Sequence, residues 1–184
     1  MTPKIKPAMR PALPFFSSGP TTKRPGWSPT VLSDAVLGRS HRSKAAKSKI
    51  TETMQLAREI LQMPDDYLIG IVPGSDTGAV EIALWSMLGA RGVDVLAWES
   101  FGKDWVNDIV GQLRIDDVTL HQAPYGQLPD LAAVNFANDV VLTWNGTTSG
   151  VKLPDGKWIA DDREGLVIAD ATSACFAMQL PWTK

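Results

Sequence analysis

The sequence predicts an α/β fold with a mostly parallel sheet, and three observations carry that prediction. Short apolar runs recur along the chain: "VDVLAW" (93–98), "VVLTWN" (140–145) and "LVIAD" (166–170). Helical stretches lie between them, and apolar strands alternating with helices make parallel βαβ units. Several runs also empty into turns of small polar residues. In open α/β sheets ligands bind at the carboxyl ends of the strands, so such turns are where chemistry belongs.

The elements follow in order. Residues 1–29 hold Pro3, Pro7, Pro11, Pro14, Pro20, Pro25 and Pro29 out of 13 prolines. Proline fixes φ and lacks a donor, so this reads as an extended N-terminal arm, held down from Phe15 and Phe16 onward where two aromatic rings need burial. Residues 30–184 form the globular part. From Ser40 to Met63 the spacing of Ile50, Met54, Ala57 and Leu61 predicts a helix, which Pro64 ends. "YLIGIV" (67–72) reads as a buried strand and "PGSDTG" (73–78) as a turn. "AVEIALWSMLGA" (79–90) reads as an amphipathic helix closing near Gly89, 93–98 as a strand and "FGKDWVNDIVGQL" (101–113) as a helix. "DVTLHQ" (117–122) suits a short strand, 128–136 a short helix at most, and 140–145 and 166–170 two further strands. Four turns, 73–78, 99–105, 145–150 and 170–173, are expected to converge at one sheet edge.

Composition narrows the function. In 184 residues, 44% are apolar, 21% are charged and the formal net charge is −2, which argues against a general nucleic-acid binder. The single cysteine, Cys175, forms no intrachain disulfide, which suits a reducing cytoplasm. The first residues have no continuous apolar stretch of a signal peptide, and no run reaches the ~18 apolar residues of a membrane span.

The turns carry the candidate chemistry. In "PGSDTG", Ser75, Asp76 and Thr77 stand where a helix begins with unpaired N–H groups. Such an end serves as an ordinary cap or as a phosphate cradle. No lysine follows as in a Walker motif, and the G-x-G-x-x-G fingerprint is absent. Only the backbone N–H of Asp76 suits an anion, since its side chain would repel one. Trp105 offers an indole to a planar ring or to the core. "WNGTTSGV" (144–151) is a polar turn able to hold a hydroxyl or carbonyl. Asp170, at a strand end, pairs with a protonated ring nitrogen or a metal. His41 and His121 are the only histidines, so a metal site lacks ligands. "GRSHRSK" (38–44) gathers Arg39, His41, Arg42 and Lys44, a solvated basic face or an anion clamp. Together these groups describe a phosphate-anchored planar cofactor with an acid on its ring nitrogen, which suits pyridoxal 5′-phosphate.

Six ordered motifs, "FSSGPTTKRPGW", "GRSHRSK", "GIVPGSDTGAVEIALWS", "WESFGKDW", "TWNGTTSGV" and "ADATSACFA", resemble the phosphoserine aminotransferase family over about residues 14–184. The resemblance implies a three-layer αβα large domain of a fold-type I transferase that binds pyridoxal 5′-phosphate and works as a cytoplasmic homodimer. The implied reaction moves an amino group from L-glutamate to 3-phosphonooxypyruvate, giving O-phospho-L-serine and 2-oxoglutarate in serine biosynthesis. A related step toward pyridoxine is implied as well. It further implies that Asp76 and Thr77 hold the cofactor phosphate, Trp105 stacks on its ring, and Thr147 lies near its 3-hydroxyl, with Thr148 adjacent. Asp170 matches the acid on the pyridine nitrogen, and His41 and Arg42 match a pair that binds substrate anions.

One departure stands out. The family's Schiff-base lysine lies in a motif like S-W-Q-K, which does not occur in these 184 residues. Lys184, after "QLPWT", matches a position before that motif. The expectation is a C-terminally truncated chain, without the small domain and inactive alone. Serine–glyoxylate or alanine–glyoxylate aminotransferases, and a non-catalytic binding module, are the competing readings.

Overall fold

The structure, a computed structural model, describes Met9 and residues 23–184. Most of the proline-rich arm, with Phe15, Phe16 and the first half of the "FSSGPTTKRPGW" motif, lies outside the described residues. Two compact units divide the chain, Met1–Ser48 and Lys49–Lys184.

In the first unit a turn closes from Trp27 N to Arg24 O (3.1 Å), followed by a 3-10 turn at Pro29–Leu32. Helix α1, Lys44–Leu61, begins here and runs on into the second unit. Its start falls four residues after the predicted one because Ser43 Oγ caps it, accepting from Ala46 N at 3.2 Å.

In the second unit, α1 stops before Pro64. Arg58 then gathers the following turn, donating to the carbonyls of Pro64 and Tyr67. The predicted strand at 67–72 does not form. Its apolar run is real, yet an extended segment becomes a strand only beside a partner, and no described strand lies along it. Leu68 is 97% exposed as a result.

Helix α2 spans Ser75–Met87, four residues ahead of the predicted start. Most of "PGSDTG" is therefore its first turn rather than a loop. The reversal is compressed into Gly74, at φ 90, a left-handed conformation that suits glycine. Nor is α2 amphipathic: Leu84 is fully buried, while Ile82, Trp85 and Met87 are exposed.

The remaining elements are β1 (Val93–Ala97), α3 (Ser100–Asn107), β2 (Val118–Gln122), β3 (Asp139–Thr143), the short pair β4 (Asn145–Gly146) and β5 (Val151–Lys152), and β6 (Val167–Asp170). α3 widens into a π turn at Asp108–Gln112, and the predicted helix at 128–136 reduces to a 3-10 turn at Leu131–Ala133. Four strands pair in parallel in the order β2-β1-β3-β6, which bears out the α/β class. Chain order reverses between β1 and β3, the position where such sheets open a ligand crevice.

Strand residues alternate between two cores. Val93, Val95, Ala97 and Val141 meet Leu84 of α2, Trp105 and Val106 of α3 and Ile109 of the π turn on one face. Leu96, Trp98, Val140, Leu142 and Trp144 meet Val134, Leu153, Ile159 and Ala174 on the other. Helices cover the first face; short turns cover the second. β1 and β3 are buried at every position, so both read as apolar runs apart from Asp94, Asp139 and the closing Thr143.

Candidate functional site

The site grows from the register of β3 and β6. Thr143 and Asp170 are paired at the carboxyl ends of these strands. Asp170 Oδ1 accepts from Thr172 N (3.1 Å) and Thr172 Oγ1 (2.7 Å), and Oδ2 accepts from Trp105 Nε1 (3.1 Å). Around this carboxylate a pocket is lined by Asp76, Phe101, Thr143, Asn145, Thr147, Asp170, Thr172 and Ser173.

Each wall has a local cause. α3 starts where Glu99 Oε1 accepts from Gly102 N at 2.7 Å, a side-chain cap that closes the first turn. Glu99 is buried, and its other oxygen accepts from Thr148 Oγ1 at 3.0 Å, tying the helix start to the β4–β5 turn. Thr148 Oγ1 also lies 3.1 Å from both Ser100 Oγ and Tyr125 OH. It is thus engaged away from the pocket. Thr147, next along the chain, lines the pocket and lies 2.8 Å from Ser173 Oγ. α2 brings Asp76 and the unpaired N–H groups of its first turn to the same edge.

Of the residues singled out in the sequence, Asp170, Asp76 and Thr147 come together. Thr77 is exposed beside them on α2 without lining the pocket. Trp105 is only 4% exposed, its ring in the core and its N–H on Asp170. The aromatic ring that lines the pocket belongs to Phe101, 44% exposed. The two residues share a face of α3, one turn or ~6 Å of rise apart, and only the earlier one lines the pocket. Both stand in "ESFGKDW", and the sequence alone does not say which of the two rings faces the pocket. His41 and Arg42 lie in the first unit, both exposed, with Arg42 N donating to Ser40 Oγ at 3.1 Å. Lys184 Nζ is paired with Asp161 and is absent from the lining of this pocket.

Sequence reasoning also missed Thr143. Its Oγ1 is buried without a hydrogen-bond partner among the described residues and belongs to a pocket-lining side chain. A buried hydroxyl left unpaired is costly unless something meets it. Behind the pocket, burial first and the Asp170 charge second push the Cys175 thiol up. A larger hollow between the end of α1 and residues 176–182 contains no titratable side chain.

No family model matches the chain. The chain is 59% identical over 180 residues to the phosphoserine aminotransferase of Methanosarcina mazei, a match covering 98% of this chain and 49% of that protein. The phosphoserine aminotransferase of Methanosarcina barkeri is 58% identical with the same coverage. These relatives bear out the resemblance drawn from the motifs, and the chain spans about half their length. Among solved structures, a phosphoserine aminotransferase from Cytophaga hutchinsonii superposes with a TM-score of 0.67 at 24% identity, covering 84% of this chain and 43% of that one. A ureidoglycine–glyoxylate aminotransferase from Bacillus subtilis gives 0.55 at 17%, covering 74% and 37%. The fold is therefore that of the large domain of these aminotransferases, in part.

Proposed function

We propose that this chain forms the cofactor-binding half of a pyridoxal 5′-phosphate-dependent phosphoserine aminotransferase, which moves the amino group of L-glutamate to 3-phosphonooxypyruvate. The observation that carries the reading is the pocket at the β3–β6 edge. It combines a carboxylate, an aromatic ring, hydroxyls and a helix N-terminus in a chain 59% identical to such an enzyme over 180 residues.

The residues present fit the cofactor. Asp170 has an acceptor available for a ring N–H, Phe101 supplies a ring face, and the first-turn N–H groups of α2 suit a phosphate. The unpaired Thr143 Oγ1 is a donor in want of a partner in the same pocket. When bound, the cofactor supplies the electron sink for amino-group transfer. Asp170 holds the proton on the ring nitrogen, Thr147 orients the ring through its 3-hydroxyl, and Phe101 covers the ring. Trp105, which the motif resemblance nominated for stacking, is assigned a supporting place behind Asp170. The Asp76 side chain lines the pocket, so a phosphate is held by backbone N–H groups of that turn rather than by the carboxylate. His41 and Arg42 bind the substrate anions in this reading, and the working enzyme is a cytoplasmic homodimer in serine and pyridoxine biosynthesis.

The reaction is tested in a polypeptide of the relatives' full length, assayed with L-glutamate and 3-phosphonooxypyruvate and followed by O-phospho-L-serine formation. Asp170→Asn is expected to cut turnover by a hundredfold or more (~10² for a lost charge-stabilising group) while leaving the fold intact. Near-full activity in that variant removes Asp170 from the reaction. Activity with glyoxylate but none with 3-phosphonooxypyruvate replaces the substrate assignment.

A further inference from the structure

We infer that Trp105 and Thr172 are positioning residues that orient the Asp170 carboxylate so that one acceptor site, on Oδ2, stays open to a ring N–H in the pocket. The inference rests on the proposed cofactor reading. It is built on a count of acceptors. An ionised carboxylate offers about four lone-pair directions. Thr172 N and Thr172 Oγ1 occupy two on Oδ1, and Trp105 Nε1 occupies one on Oδ2. One direction remains, and it belongs to the oxygen shared with the indole.

The two donor residues act from different places. Thr172 is two residues along the chain, exposed, and turns with the loop after β6. Trp105 comes from α3, and its ring sits among Leu84, Val106 and Ile109. The position of its N–H is therefore set by the packed core, which yields little. Donors on both oxygens narrow the carboxylate's rotation about Cβ–Cγ, a torsion that is otherwise broad. Pre-orientation of this kind spares a ligand the cost of ordering its partner. Indole serves the purpose because it donates only, and so does not compete with the ligand for a proton.

The test uses two probes on this chain. Pyridoxamine 5′-phosphate carries ring, nitrogen and phosphate and needs no covalent anchor. Benzyl phosphate carries ring and phosphate without the nitrogen. Trp105→Phe keeps most of the packing and removes the donor. It is expected to weaken pyridoxamine 5′-phosphate about tenfold while changing benzyl phosphate less than twofold. It is also expected to lower the pH at which the bound pyridoxamine ring loses its nitrogen proton, read from its absorption and fluorescence. Thr172→Val, at an exposed position, is expected to act in the same direction on the first probe alone. If Trp105→Phe folds and leaves both the affinity and that pH midpoint unchanged, the inference is overturned. If near-ultraviolet circular dichroism shows that it does not fold, Thr172→Val decides alone, and an unchanged affinity overturns the inference. A different failure marks the underlying reading: wild type binding both probes equally, with Asp170→Asn altering neither.

Discussion

Thr143 and Asp170 are register partners on adjacent parallel strands, yet they are provisioned in opposite ways. The carboxylate of Asp170 takes donors on both oxygens, while Thr143 Oγ1, at 2% exposure, has no partner among the described residues. One group is supported from behind and the other waits on the pocket side. A site organised for a ligand should pay for that arrangement in stability when empty.

Thr143→Val tests this directly. The substitution removes the unpaired hydroxyl at nearly constant shape. The empty chain should gain roughly 1 kcal/mol, within the ~1–3 kcal/mol cost of a buried unsatisfied group. Affinity for pyridoxamine 5′-phosphate should fall several-fold. Urea unfolding and a binding titration read the two effects. Lower stability with unchanged affinity would show that Thr143 is merely structural.

The buried Asp94 network predicts an acid limit. Burial works against its charge, but the Asn135 amide, the Asn138 side chain and His121 together outweigh it, and the net direction of its pKa is down. Its oxygens accept from Asn135 N (2.9 Å) and Asn138 Nδ2 (2.8 Å), and His121 Nε2 lies 2.7 Å away. A carboxylate with a depressed folded pKa stabilises above its unfolded value, 3.8 here, and loses that contribution as pH falls through the lower folded value. Melting temperature should therefore decline below about pH 4. Asp94→Asn should cost ~1–3 kcal/mol at neutral pH and flatten the decline. An equally steep acid limb in the variant would assign the loss to other carboxylates.

How much of this was legible in the sequence depends on what each residue needed to know. β1 and β3 were readable because Val93–Ala97 and Asp139–Thr143 are buried throughout, and a strand covered on both faces writes itself as an apolar run. Tyr67–Val72 carries the same signature but lacks a strand neighbour among the described residues, and pairing is a property of the sheet that no local pattern contains. The start of α2 was read four residues late because Gly74 and Ser75, both at positive φ, turn the chain more sharply than a generic Gly/Ser/Asp loop suggests. Asp170 was legible from its place at the end of an apolar run. Phe101 and Trp105 were not separable, since one turn of helix decides which ring meets the pocket and which the core.

Cys175 provides a chemical reporter for the pocket. Burial, then the nearby Asp170 charge, push its thiol up, so a smaller share of it is thiolate at a given alkaline pH than in a free cysteine. Alkylation by iodoacetamide, followed by mass spectrometry, should be slow at pH 8.5 and accelerate on unfolding. Asp170→Asn should bring the pH midpoint part of the way back. No change in that variant would leave burial as the whole cause.

Gly78→Ala tests whether the first turn of α2 is a built feature of the anion site. A Cβ at this position would stand 2.7 Å from the Pro73 carbonyl oxygen, a backbone atom that cannot swing aside as a side chain would. The same turn is closed by Gly78 N donating to Gly74 O at 2.9 Å. Relieving the clash therefore means reopening the Pro73–Gly74 reversal or shifting the helix along its axis, and either moves the N–H groups of residues 75–77. The expected cost is ~1–3 kcal/mol in urea unfolding, typical of overpacking. Affinity for benzyl phosphate, which has no ring nitrogen to engage Asp170, should fall about as far as affinity for pyridoxamine 5′-phosphate. That shared loss distinguishes damage at the phosphate end from damage at Asp170. If benzyl phosphate binds the variant as it binds wild type, the phosphate is held elsewhere than at the start of α2.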